Sequence, residues 1–301
     1  MKYAVGIDIG GTTVASGVVD QNGNLIQKEM VQSDPSDPEK MFASVVTCVE
    51  KLLINSSIPL DQIYGIGAGI PGKVDRENGI AIFQNNIPWS NFPFVKRIQE
   101  TFEVDRIVID NDVYMAAFAE WKKANLSPEE LFVYITISTG VSCSIIQNGE
   151  FIRGNGFAGE LGLMPISESE DQGKMERLEQ LVSGPALERF AKEKFQDESM
   201  TSKKVFQAFY DTDQTAVHLI EDFVATLTQG IYMVNSLLDP HEIVLGGSVA
   251  THNPVLLKMI KQELTTYLLD EQKHILKNLK ISSMGNEQGI IGAGLSILEN
   301  K

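Results

Sequence analysis

The stretch D-I-G-G-T at residues 8–12 ends the apolar run Y-A-V-G-I-D-I (3–9) and leads into a second run, V-A-S-G-V-V-D (14–20). A Q-N-G turn (21–23) and a third apolar segment, N-L-I (24–26), complete the unit. The same plan returns later in the chain: F-V-Y-I-T-I-S (132–138), T-G, V-S-C-S-I-I (141–146), Q-N-G (147–149) and E-F-I (150–152). Asn-Gly supplies the pair of positive-φ residues that closes a two-residue hairpin, and small residues in the other turn let backbone N–H groups approach a phosphate. One such unit is no more than a tight turn between strands. Two in the same order imply a duplicated domain with a phosphate-gripping turn in each half.

Turns of this kind facing each other across a cleft are the plan of an actin-like ATPase (ribonuclease H-like) fold, with two duplicated α/β domains. The rest of the chain alternates helices and strands accordingly. Met41, Val45, Val46, Val49 and Leu52 recur at helical spacing over 37–55, and Val217, Ile220, Phe223, Val224, Leu227, Ile231 and Val234 do so over 215–238. Strands are expected at 64–70, 106–110 and 241–246, helices at 94–103 and from Asn111-Asp112 to about Lys123, and a final helix near Gly289. The domains are expected at 1–120, completed by 289–301, and at 121–288.

Composition narrows the function. The chain has 301 residues, 43% hydrophobic and 22% charged, with 25 basic and 40 acidic side chains for a net charge of −15. No cluster of Lys and Arg suits a nucleic-acid backbone, so nucleic acid is not an expected partner. No apolar run reaches the length of a membrane span, and no signal-peptide core follows the first residues, so a cytoplasmic protein without membrane contact is expected. Cys48 and Cys143 read as buried thiols, and the four histidines lack metal-binding spacing.

Residues at strand ends are the candidates for chemistry, because open α/β sheets bind ligands there. Asp8 stands before Gly10, Gly11 and Thr12. It is either a turn-capping Asp or a carboxylate that holds Mg²⁺ through waters beside nucleotide phosphates. Asp112, after R-I-V-I-D (106–110), is either a helix N-cap or a general base that takes the proton of a sugar hydroxyl, with Asn111 orienting that hydroxyl.

Together these strings resemble the ROK family of bacterial sugar kinases and sugar-responsive repressors over the whole chain. D-I-G-G-T (8–12), G-A-G-I-P-G-K-V-D (67–75), I-D-N-D (109–112), A-G-E-L-G (158–162), L-E-Q-L-V-S-G-P-A-L (178–187), D-P-H-E-I-V-L-G-G-S-V (239–249) and G-I-I-G-A-G (289–294) follow the family's order and spacing. The resemblance implies an ATP- and Mg²⁺-dependent sugar kinase with Asp112 as the catalytic base. Asn111, Glu160 and Glu179 would bind sugar hydroxyls. Gly10, Gly11, Thr12, Thr139 and Gly140 would line the phosphates, with Gly246 and Gly247 at the far end of the nucleotide. A homo-oligomer, a dimer, is expected. The rival reading is a non-catalytic sugar sensor, since family repressors share this body but add a DNA-binding module.

Departures from the family pattern give further expectations. The second phosphate loop reads S-T-G-V-S-C, with Ser138, Ser142 and Cys143 where glycines are usual; a positive φ at any of them would weaken nucleotide binding. The lysine often found just after the first loop is missing, with Thr13 and Ala15 there. Leu163 replaces the family histidine, and E-D-Q-G-K-M-E-R (170–177) replaces the cysteine motif, so no structural zinc is expected from Glu170, Gln172, Arg177 and Leu163. Leu163 and Met164 are expected to turn inward, favouring a ligand with a substituted anomeric side. The resemblance to family members that lack the zinc motif implies a β-glucoside phosphorylated on its 6-hydroxyl, with glucose, fructose and N-acetylmannosamine as the alternatives. Trp89 reads as a half-buried loop residue, the alternative being a ring packed near the cleft.

Overall fold

The computed structural model describes residues 2–84, 86–167 and 175–299. The chain divides into two compact units, one from the N-terminus to Asn125 together with the segment from Asn286 onward, the other from Leu126 to Gly285.

The first unit runs β1 (Tyr3–Ile9), β2 (Thr13–Asp20), β3 (Leu25–Gln32), α1 (Pro38–Asn55), β4 (Ile63–Ile70), β5 (Lys73–Asp75), β6 (Ile80–Phe83), β7 (Ser90–Phe92), α2 (Phe94–Phe102), β8 (Ile107–Asn111) and α3 (Asp112–Ala124). Its main sheet has the order β3-β2-β1-β4-β8. β1, β2 and β3 are antiparallel, and β4 and β8 continue parallel to β1.

The second unit runs β9 (Phe132–Ile137), β10 (Val141–Gln147), β11 (Glu150–Phe151), β12 (Pro165–Ser167), β13 (Met175–Arg177), α4 (Leu178–Val182), α5 (Gly184–Phe195), α6 (Ser202–Tyr210), α7 (Gln214–Leu238), β14 (Glu242–Gly246), α8 (Gly247–His252), α9 (Val255–Leu264), α10 (Ile275–Asn278) and β15 (Leu279–Ile281). Its sheet order, β11-β10-β9-β14-β15, repeats the first with the same pattern of directions. The last helix, α11 (Gln288–Leu298), returns to the first unit. The duplicated order is that of the actin-like fold.

One face of the first sheet places Val5, Ile7 and Ile9 against Met41, Val45, Val49 and Leu52 of α1, a core that includes Trp89. The other face is built for backbone contact with α11. A β-carbon on Gly6 would stand 1.9 Å from Ile290 O, and one on Gly67 1.8 Å from Ala293 O. A helix that is apolar all round belongs in such a position, and residues 288–297 of α11 are all buried.

Three local expectations are corrected. At the second hairpin Asn148 (φ 54°) and Gly149 (φ 70°) form the expected positive-φ pair, but at the first only Gly23 is left-handed. There the Asp20 carboxylate accepts from Asn22 N, Asn24 N and Asn24 Nδ2, and the ladder with β3 shifts register at Val18/Val19. Side-chain capping by Asp20 thus replaces the symmetric turn. The N-cap of α3 is Asn111, whose Oδ1 accepts from Val113 N at 2.9 Å, while Asp112 is the first helical residue. Trp89 is 2% exposed, stacked on Phe92 at 4.7 Å, with Nε1 donating to Pro38 O. Its indole is a core residue, satisfied as a buried Trp needs.

Candidate functional site

In the first unit the candidates meet at the carboxyl ends of β1, β4 and β8. Asp8 pairs in register with Gly69, and Gly69 with Asp110. Gly69 leaves this row open: a β-carbon there would lie 3.2 Å from Asp112 Cα and 3.4 Å from Met115 Cγ, so α3 begins directly against it. The Asp8 carboxyl is pushed up to about 7, first by burial and then by the charge of Asp112, with Lys28 pulling it back. Two carboxylates that raise each other's cost of ionisation suit a bound cation. On the other side Gly289, in the first turn of α11, faces the Asp8 carboxylate. Lys28 on β3 reaches Glu287, the N-cap of α11, with Nζ 3.4 Å from Oε1.

The turn at 10–12 is held from the side by Ser33. Its Oγ donates to Gly10 O at 2.6 Å, its N–H donates to Thr12 O at 3.0 Å, and Gly10 N donates to Thr13 O at 3.0 Å. Neither Gly10 nor Gly11 is left-handed. Gly11 is needed for close approach instead, since a β-carbon would come within 2.6 Å of Asn86 O. Thr12 is exposed at the tip of the turn.

Asn111 is fixed by backbone on two sides, capping α3 through Oδ1 and donating from Nδ2 to Gly72 O at 2.9 Å. Asp110, 5% exposed, accepts from Asn111 N at 2.8 Å and faces Arg76 Nε at 3.3 Å. The supporting roles of Asp110, Arg76 and Ser33 are absent from the sequence reading. Only the position of Asp110 in I-D-N-D offers a signal.

In the second unit Glu160 and Glu179 are electrostatic neighbours: the Glu160 carboxyl is raised by burial and then by the charge of Glu179. Glu179 Oε2 sits 3.1 Å from where a β-carbon on Gly140 or on Gly162 would stand. The turn carrying Thr139 and Gly140 therefore adjoins one carboxylate of the pair. The segment bearing Glu160 is stitched to β10 through Gly159, whose carbonyl accepts from Cys143 N at 2.7 Å and Ser142 Oγ at 3.2 Å. Burial, then the charge of Glu160, pushes the Cys143 thiol up to about 12.

The expected strain in the second phosphate loop is not there. Ser138, Ser142 and Cys143 all lie outside the left-handed region. Ser142 and Cys143 pair with Thr136 and Ile135 as ordinary strand residues, and Ser138 N donates to Gly140 O at 2.9 Å. Side chains at these positions are compatible with the backbone, so the missing glycines carry no conformational penalty.

Gly247 (φ 79°) opens α8 against the end of β9, where a β-carbon would be 2.4 Å from Ile137 O. A β-carbon on Gly246 would overlap the Tyr134 hydroxyl, at 2.0 Å. Leu163 is 39% exposed and so does not turn inward, whereas Met164 packs partly buried against the core. Residues 168–174, with Glu170 and Gln172, lie outside the described residues. Among the described residues no group of three or more His, Cys, Asp or Glu side chains is arranged to hold a metal ion, and no helix is long and apolar enough to cross a membrane.

The chain resembles known proteins along nearly its whole length. It is 28% identical over 313 residues to a glucokinase of Halalkalibacterium halodurans, covering 97% of this chain and 94% of that protein. It is 22% identical over 302 residues to the xylose repressor of Bacillus subtilis, covering 99% of this chain and 77% of the repressor. Its structure matches a ROK hexokinase from Thermus thermophilus with a TM-score of 0.80 and 28% identity, covering 99% and 98% of the two chains. It also shares its fold with a ROK glucokinase from Streptomyces griseus solved with glucose and AMPPNP, at a TM-score of 0.80 and 24% identity. The sequence profile of the ROK family matches residues 4–299, and the chain belongs to that family.

Proposed function

We propose that this protein is an ATP-dependent sugar kinase that transfers the γ-phosphoryl group of Mg·ATP to a hydroxyl of a hexose or β-glucoside, the 6-hydroxyl. The observation that carries this reading is the Asp8–Asp112 pair at the strand ends, one residue beside the small-residue turn and the other at the start of α3. Asp112 takes the proton of the attacking hydroxyl; the hydroxyl oxygen bonds to the γ-phosphorus as the bond to the ADP oxygen breaks. Asn111, Glu160 and Glu179 hydrogen-bond sugar hydroxyls. Gly11, Thr12, Thr139 and Gly140 offer backbone and hydroxyl donors to the phosphates, Gly10 shapes the first turn beside them, and Gly246 and Gly247 lie at the far end of the nucleotide.

The donor set fits a magnesium ion, because a hard cation takes carboxylate and water oxygens, and Asp8 sits where a like charge already disfavours a bare carboxylate. Magnesium would offset charge on the phosphate oxygens as they separate. Leu163 and Arg177 supply no zinc ligand, and elemental analysis of the purified protein is expected to find no stoichiometric zinc. We assign the reaction to the cytoplasm and to a homodimer, which sedimentation in solution tests.

The glucoside preference rests on the residue type alone: position 163, three residues after Glu160, carries leucine and offers no polar group to a free anomeric hydroxyl. ADP release from Mg·ATP across hexoses, amino sugars and glucosides tests the reading. Sugar-dependent ADP release supports it, and its absence with every sugar leaves a sugar-binding sensor. A kcat/KM for glucose or N-acetylmannosamine at least as high as for cellobiose removes the glucoside preference alone.

A further inference from the structure

We propose that Lys28, on the third strand of the first sheet, is a nucleotide-phosphate-binding residue of the Asp8 site, supplying from β3 the cation that β2 lacks there. The strand register carries the argument. Asp8 on β1 pairs with Ala15 on β2, and Ala15 pairs with Met30 on β3. Two residues along, Gly6 pairs with Gly17, and Gly17 pairs with Lys28. Because side chains alternate faces, Gly6, Asp8, Ala15, Gly17, Lys28 and Met30 share one face of the sheet, the face that α11 covers. Between Lys28 and Asp8 the β2 residues on this face are the small Ala15 and Gly17. The long Lys28 side chain can therefore lie over β2 toward Asp8.

A second observation fixes its direction. Lys28 Nζ is 3.4 Å from Oε1 of Glu287, the N-cap of α11, and Gly289 of the same helix abuts the Asp8 carboxylate. The ammonium is thus tethered at the helix end that closes on Asp8. Its side chain is 28% exposed, so it is covered enough to lose part of its solvent screening and open enough to meet a ligand. Glu287 engages one of three ammonium protons, which leaves donor capacity for a phosphate oxygen. The charges facing Asp8 are Asp112 from α3 and Lys28 from β3. An anionic nucleotide approaching two carboxylates is favoured by such a cation, and Lys28 is the one that acts on Asp8.

This inference rests on the kinase reading, and calorimetric binding of Mg·ADP separates the two. Lys28→Met is expected to weaken Mg·ADP binding about tenfold, as loss of a charge-assisted hydrogen bond does, without lowering Tm. Lys28→Arg should retain most of the affinity. Returning the cation to β2 in the double variant Lys28→Met/Ala15→Lys should recover it, with Lys28→Arg deciding the matter if that double variant does not fold. Unchanged Mg·ADP affinity in Lys28→Met, or an equal loss in Lys28→Arg, overturns the assignment. A wild-type protein that binds no Mg·ADP overturns the kinase reading and the Lys28 assignment with it.

Discussion

Gly289 stands against Asp8 so closely that a β-carbon on it would lie 2.7 Å from the Asp8 Cγ and from Oδ2. The first turn of α11 therefore acts as a wall for the carboxylate. Gly289→Ala brings two opposing effects. Alanine favours the helix by about 1 kcal/mol, while the methyl group must displace a short side chain that can rotate away. Stability should change little, and Asp8 should leave its place. The expected result is a Tm within a few degrees of wild type and Mg·nucleotide binding weakened about tenfold, read by thermal melting and calorimetry on the same sample.

Asp8 also makes a prediction about pH. Its carboxyl is raised to about 7 in the folded protein, against an ordinary aspartate value of 3.8. A carboxyl raised on folding contributes stability that is fully present below the unfolded value and is lost as pH rises toward 7. Asp8→Asn removes that cost. The variant should be more stable than wild type at pH 8, by about 1–2 kcal/mol after solvent screening, and should show no such advantage at pH 4. Denaturant titrations at both values check it, without magnesium or nucleotide. An equal difference at the two pH values would mean that Asp8 ionises normally.

The Glu160 segment depends on Gly159. With φ at 94° and a β-carbon position only 1.9 Å from Cys143 O, this residue admits no side chain without moving the chain away from β10. Gly159→Ala should cost about 1–3 kcal/mol in backbone strain alone and should raise KM for the sugar. Steady-state kinetics with sugar and ATP varied in turn, beside thermal melts, measure both effects. A sugar KM left at the wild-type value would separate Glu160 from sugar binding.

The second phosphate loop gives a prediction opposite to the one its composition suggests. Ser142 lies in a regular strand and its hydroxyl donates to Gly159 O. Ser142→Gly removes that bond, at about 1 kcal/mol, and loosens the strand. The expected outcome is a lower Tm with an unchanged KM for ATP. A lower KM would show that the serine hinders the nucleotide.

These cases mark what is legible in the sequence. The duplicated strand plan can be read because it depends on alternating apolar residues and on local turn chemistry, and Asn148-Gly149 behaves as its residues dictate. Asn22-Gly23 does not, because the side chain of Asp20 captures the turn. Most candidate residues sit at strand ends or in the turns that follow them, where the pattern places them. Their support cannot be read. Ser33 holds Gly10 across 23 positions, Arg76 faces Asp110 across 34, and Lys28 meets Glu287 across 259. Such pairs are products of sheet order and leave no local trace. Leu163 departs from its expectation because an apolar side chain packs only where the chain offers it a neighbour, and its exposure depends on the path of the loop around it.

Asp112→Asn tests the central claim most directly. The substitution keeps the size of the side chain and leaves the Asn111 cap of α3 in place. Sugar-dependent ADP release should fall about 10²- to 10⁴-fold in kcat, the contribution of a positioned base, while Tm stays near wild type. Turnover close to wild type would mean that Asp112 serves only to begin the helix, and would contradict this account of the reaction.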